Sequence, residues 1–156
     1  CTQFIKLGEV LGKKNKAETI VNETKKQIER LQQKVPKQQN QPRMFIQIGA
    51  NPLYSVYPGL FMNDYMEMSK SQNIAADLTT GSITREAVVL RNPDVIFVVT
   101  MGIVGDEEKR NWEKFKQVNA VKNKKIFIID SDLACTPTPI TYVKTLKTII
   151  DLTYSK

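Results

Sequence analysis

Apolar positions recur every three or four residues along the first part of the chain; from about residue 43 they gather into short runs. Residues 3–12 set Phe4, Leu7 and Leu11 on one face of a short helix that stops at Gly12. Asn15 then opens a second helix, with Glu18 three residues on in a capping-box relation. Its apolar stripe is narrow: Ala17, Ile20 and Val21, Thr24, Ile28, Leu31 and Val35. Lys25, Lys26, Arg30, Gln32 and Gln33 fill the rest. The pattern predicts a helix of about 20 residues, roughly 30 Å long, resting one edge on a body. Pro36 ends it, and the polar "PKQQNQP" (36–42) reads as a linker.

Strand and helix patterns then alternate. A strand at 43–48 leads into a loop within "FIQIGANPLYSVYPGLF" that carries Tyr54 and Tyr57 among prolines. Those rings either tuck back into the core or face something the protein holds. A helix at about 60–69 has Leu60, Met62, Tyr65 and Met66 on its apolar face, and 72–82 reads as loop with one turn or short strand. Thr84 caps a helix to about Leu90, which "RNP" breaks. "DVIFVVT" (94–100) is apolar throughout, as in a strand covered on both faces, and "IFIID" (126–130) reads as another buried strand. Between them a helix at about 106–118 turns Trp112 and Phe115 inward, and "NAVKNKK" makes a turn. Thr138 and Pro139 suit the N-cap and first position of a last helix, with Ile140, Val143, Leu146 and Ile150 on one side. The class is therefore α/β: a mainly parallel sheet flanked by helices, one Rossmann-like lobe preceded by a long helix. Ligands in such folds sit beyond the carboxyl ends of strands, here segments 49–58, 101–105 and 131–137.

Composition narrows the chemistry. The 156 residues suit one domain, and 41% hydrophobic with 25% charged residues suits a globular one. No run approaches the roughly 18 apolar residues of a membrane span. Lys6 and Lys13 interrupt the one candidate leader near the start, so a processed form or a fragment is expected. The net charge is +7, but residues 1–43 hold ten Lys/Arg against four Glu, and 44–156 thirteen against twelve acids. The excess thus belongs to a solvated helix face with almost no aromatics, and no nucleic-acid partner is expected. There is no histidine, which removes Ser-His-Asp triads, histidine acid–base pairs and histidine-ligated zinc. Cys1 and Cys135 form no C-x-x-C pair, so neither a disulfide framework nor a thiolate metal site is indicated. Cys1 fits the lipid-modified first residue of a lipoprotein; alternatively the sequence simply begins there. Asp130 and Asp132 in "IIDSD" suggest either a metal or acid–base pair, or loop capping. Alternate positions would point them to opposite sides, which favours capping. With no G-x-G-x-x-G, no P-loop and no nucleophile–base pair, the expectation is a protein that is not an enzyme and carries no cofactor.

The order of the segments is more specific than any one of them: "AETIVNETKKQIERLQQK", "PRMFIQIG" with its "NPLY" loop, "NIAADL", "ITREAVVLRNPDVIFVV", "AVKNKKIFIIDSD" and "TPTP". Together, over residues 5–154, they resemble the second half of a class III solute-binding protein. That family serves ABC importers for iron–siderophore complexes, haem and cobalamin. The resemblance implies two α/β lobes joined by one rigid helix, with ligand in the cleft between them. Residues 1–35 would be the amino-terminal helical segment with the joining helix, 36–42 a linker, and 43–156 the carboxyl-terminal lobe. The amino-terminal lobe has no counterpart in these residues.

By the same resemblance Tyr54 is a ligand-wall residue, joined by Tyr57. A ring there gives large apolar contact with few torsions to immobilise. Thr80 stands where relatives carry a large aromatic, and Cys135 and Thr136 where some carry charges, which implies a roomier wall or a different ligand. Met101, after the central strand, would be a soft contact or filler; Met62, Met66 and Met68 read as core. Glu86 matches the acid that docks against arginines of the permease; the plainer reading is a helix-start acid favoured by the dipole. Lys70 and Ser71 replace a Gly-Gly pair, and if that turn needs positive φ it costs about 1 kcal/mol. The implied partners are an ABC permease and an iron chelate, haem or cobalamin. The implied location is periplasmic or otherwise extracytoplasmic, with a lipid anchor if Cys1 is modified. The competing function is a sensor or scaffold module that reuses the lobe to bind a protein partner.

Overall fold

Two helices lead into the sheet in the computed structural model, which describes residues 1–37, 39–100 and 104–155. The first, α1, spans Thr2–Val10 and the second, α2, Lys14–Lys34. Then come β1 (Arg43–Ala50), β2 (Leu53–Ser55), α3 (Asn63–Met68), β3 (Gln72–Asn73), α4 (Arg85–Arg91) and β4 (Val95–Thr100). The chain continues through α5 (Val104–Glu113), α6 (Asn119–Lys122), β5 (Ile126–Asp130), α7 (Ser131–Ala134) and α8 (Pro139–Thr153). Strand order is β2-β1-β4-β5, with β3 also on β1. β1, β3, β4 and β5 run parallel, while β2 folds back antiparallel on β1.

Side-chain alternation along β1 and β4 builds a core on each face of the sheet. Met44, Ile46, Val95, Phe97 and Val99 pack with Leu31 and Val35 of the α2 end, Tyr65 and Met66 of α3, and Leu146 and Ile149 of α8. Phe45, Ile96 and Val98 pack with Val88 of α4, Trp112 of α5 and Ala120 of α6. Each fully buried side chain of this size stabilises by roughly 1.5–3 kcal/mol, which is why these two strands hold the lobe together. The methionine expectation agrees: Met62 and Met66 are buried and Met68 packs against the same core.

Several local expectations are corrected. Gly8, rather than Leu7 and Leu11, is the buried residue of α1; Leu7, Leu11 and Val10 are exposed. The reason is a close helix crossing, since a methyl group on Gly8 would collide with the Ala17 side chain of α2. The capping box at Asn15 does not form, because α2 begins at Lys14 and its N-cap, Lys13, makes no side-chain bond. Backbone bonds from Lys13 to Gly8 and from Ala17 to Lys13 close that junction instead. α5 ends at Glu113, five residues early, and α6 takes up part of the expected turn. β5 is an edge strand, with Phe127 only partly buried and Ile128 and Asp130 exposed. On α8 the buried face is Thr145, Leu146, Ile149, Ile150 and Thr153, and Ile140 is exposed. Its start is as read: Thr138 and Thr141 form a capping box, with Pro139 in the first turn.

Candidate ligand-binding wall

Parallel strands β1, β4 and β5 end together, with Thr100 opposite Asp130, so the loops after them share one edge of the sheet. β1 runs on into a hairpin whose second arm is β2, pairing Gly49 with Tyr54 and Ala50 with Leu53. The register shifts between Gln47 and Gly49, a bulge of the kind that re-aims a side chain at a sheet edge. Along β2 the alternation is clean: Leu53 and Ser55 are buried, and Tyr54 between them is 39% exposed. Tyr57, two residues beyond, is half-buried.

Residues 81–83 line the outer edge of this hairpin. Ser55 N–H donates to the Gly81 carbonyl at 2.7 Å, Ile83 N–H donates to the Leu53 carbonyl at 3.2 Å, and Tyr54 and Ser82 form a bridge. Thr80, exposed, precedes Gly81, which lies against the Tyr54 ring. The segment runs directly into α4, where the Thr84 hydroxyl accepts from Ala87 N–H at 3.2 Å. Glu86 is exposed in the first turn of that helix.

Cys135 and Thr136, both exposed, follow α7 on the far flank of the same edge. Three strand spacings separate β2 from β5, roughly 14 Å, so the segment that follows Thr80 runs along the Tyr54 hairpin, whereas Cys135 and Thr136 are set across the width of the sheet. Met101 lies outside the described residues. Partial burial pushes the Cys135 thiol up from its usual value. Asp130 is a cap, accepting from the Asp132 and Leu133 N–H groups at 2.7 and 3.4 Å. No group of three potential metal ligands occurs among the described residues.

Between the two flanks is an open groove of about 370 Å³, whose lining includes Gly49, Asn51, Val99, Glu107 and Glu108. A larger hollow of about 560 Å³ lies at the other end of the sheet, between Pro36–Pro42 residues and Thr153–Ser155. Neither hollow is lined by Tyr54, Tyr57, Thr80, Cys135 or Thr136; the groove is the one at the carboxyl edge of the sheet. Gln47 and Glu108 of the groove lining belong to a polar cluster that sequence reasoning missed. Gln47 Nε2 donates to Glu108 Oε2 at 2.6 Å, and Trp112 Nε1 donates to Gln47 Oε1 at 2.6 Å. Arg85 pairs with Glu108 and lies over the Trp112 ring, 4.8 Å from its centroid. Two signals pointed there: a glutamine within the apolar run "MFIQI", and Glu108 one helical turn before the inward Trp112.

Burial pushes the Glu108 carboxyl up, but hydrogen bonds from Gln47, Arg85 and Asn111 and the Arg85 charge outweigh it. The carboxyl is held below its ordinary value. Lys70 has φ +54°, so the turn that lacks its glycines does adopt the left-handed conformation.

A family profile described as periplasmic binding protein matches residues 1–133. No curated protein sequence matches the chain significantly. Among solved structures, a possible iron-binding (periplasmic solute-binding) protein from Staphylococcus epidermidis ATCC 12228 superposes with a TM-score of 0.85 and 27% identity. The match takes in 97% of this chain and 60% of that one. The haem-complexed IsdE of S. aureus gives 0.78 at 19% identity over 99% and 63%. The periplasmic vitamin B12 binding protein BtuF of Vibrio cholerae gives 0.72 at 21% over 93% and 56%. The chain therefore spans less than two thirds of each of these structures. With the parallel sheet between two helical layers and the expected segment order in place, the chain belongs to the periplasmic binding protein family, in the class III form that its sequence resembles.

Proposed function

We propose that the chain is the joining helix and carboxyl-terminal lobe of an extracytoplasmic solute-binding component of an ABC importer. In this reading residues 1–35 hold the helical segment, 36–42 the linker and 43–156 the lobe. A second lobe, from sequence outside these residues, completes the cleft. The ligand is an iron complex, either siderophore or haem, or cobalamin. The observation that carries the reading is Tyr54: an aromatic ring set outward at the carboxyl edge of the sheet by a hairpin whose neighbouring positions, Leu53 and Ser55, are buried. Similar structures described as possibly iron-binding, haem-complexed and vitamin B12-binding agree with that ligand class.

The lobe binds without chemistry. Tyr54, with Tyr57, Thr80, Met101, Cys135 and Thr136, supplies one wall, roughly 14 Å across three strand spacings. That width suits a large, flat or globular ligand better than a small ion. An open groove of about 370 Å³ encloses little by itself, whereas a ligand held tightly is covered over most of its surface. The lobe alone therefore binds weakly and the closed pair of lobes binds well. Glu86 pairs with arginines of the permease, and that contact separates the lobes and frees the ligand. The alternative of a sensor or scaffold lobe draws no support from the similar structures.

The test is uptake. Adding the complete two-lobed protein to proteoliposomes that carry the permease should accelerate ATP-driven entry of haemin, cyanocobalamin or a ferric trihydroxamate. No acceleration with any of the three contradicts the reading.

A further inference from the structure

One buried polar cluster has no role yet beyond lining the groove with Gln47 and Glu108, and it joins the root of the Tyr54 hairpin to the start of α4. Gln47 is 2% exposed and Glu108 5%. Gln47 Nε2 donates to Glu108 and also to the Gly49 carbonyl, at 3.1 Å, within the bulge that turns β1 into the Tyr54 hairpin. Trp112 Nε1 holds the other end of the same amide, and Asn111 Nδ2 reaches Glu108 Oε1 at 3.3 Å. Arg85, bound to Glu108, is the first residue of α4 and precedes Glu86.

Stability alone is a poor reason for such a cluster. The desolvation of a buried ion pair offsets most of its attraction, and apolar residues of the same shape often serve as well. Geometry is what it does fix. A planar guanidinium held by a carboxylate on its edge and an indole on its face has one orientation. Backbone bonds tie the same parts together from outside, between Ser55 and Gly81 and between Ile83 and Leu53.

We propose that Glu108, acting through Gln47 and Arg85, is a positioning residue that locks the first turn of α4 to the root of the Tyr54 hairpin, so that displacement of Glu86 is passed to the ligand wall. This rests on the reading of Tyr54 as wall and Glu86 as docking residue. A loose start to α4 would absorb the pull of the permease; a braced one transmits it.

The experiment is uptake of haemin, cyanocobalamin and a ferric trihydroxamate by permease proteoliposomes, at varied concentration of the loaded two-lobed protein. Arg85→Met with Glu108→Leu removes the brace without leaving a lone buried charge. The expected result is a maximal rate about tenfold lower with the half-saturating concentration changed less than threefold. A wild-type maximal rate overturns the proposal, as does a change confined to half-saturation. If the double variant does not melt cooperatively, Arg85→Lys, which keeps the charge and loses the planar fork, should lower the maximal rate about threefold; an unchanged rate is again contrary. Glu86→Arg is the control for the docking reading: it should raise half-saturation at least tenfold, and a failure there strikes docking rather than the brace.

Discussion

Gly81 lies flat against Tyr54: a methyl group on Gly81 would stand 2.6 Å from Tyr54 Cδ1 and 2.7 Å from the Ser55 carbonyl oxygen. The ring and the strand beside it leave no room for a side chain. Gly81→Ala should therefore tilt the Tyr54 ring or pull residues 81–83 off the hairpin. The expected outcome is a loss of about 1–3 kcal/mol in stability and a ligand affinity at least tenfold lower. Urea unfolding and calorimetry on the same variant check both. Wild-type affinity in a folded Gly81→Ala protein would separate Tyr54 from the wall.

Glu86 stands exposed in the first turn of α4 and is not among the groove-lining residues. Glu86→Arg should leave ligand affinity within twofold and impair uptake by raising the half-saturating concentration at least tenfold, because the arginine it would meet on the permease now repels it. Uptake at the wild-type rate contradicts the docking role.

Lys70 holds φ +54° where a glycine would be unstrained. Lys70→Gly should raise stability by about 0.5–1 kcal/mol, since the left-handed region costs an L residue about that much or more. A denaturant midpoint that does not move, or falls, would show that the turn carries no such strain.

Stability should fall at both ends of the pH range. The Glu108 carboxyl is held below its ordinary value of 4.5, so its contribution is complete above that pH and is lost as pH falls through the folded value. Glu108→Gln should flatten that acid limb. At the alkaline end burial pushes Tyr65 up to about 12, from 10.0, while Thr145 draws it partly back. Its contribution is present below pH 10 and is lost as pH rises toward 12, because the unfolded chain ionises first. Thermal melts across pH should show both limbs, with Tyr65→Phe flattening the second.

The elements whose signals are local were legible in the sequence. Thr84 and Thr138 each sit before a helix and do cap it, and the unbroken run at 94–100 is the central strand, buried on both faces. Edges were harder, because burial depends on neighbours that a periodicity does not contain. "IFIID" has the composition of a core strand but pairs on one side only among the described residues, and α1 rests Gly8 on α2 while Leu7, Val10 and the following Leu11 are exposed. β2 is three residues among prolines, too short for alternation to register, and exists because β1 pairs with it. The candidate wall came from resemblance rather than from periodicity. The cluster of Gln47, Arg85 and Glu108 joins three elements, and no spacing along the chain encodes that meeting.

The central claim is that Tyr54 helps hold a large iron complex or corrinoid in the cleft. The most direct measurement is calorimetric titration of haemin, cyanocobalamin and ferric siderophores into the complete two-lobed protein and its Tyr54→Ala variant. Saturable binding of one ligand at micromolar Kd or tighter is expected, weakened about tenfold, or about 1.4 kcal/mol, by loss of the ring. A folded protein that takes up none of them, or one that binds equally well without Tyr54, would contradict it.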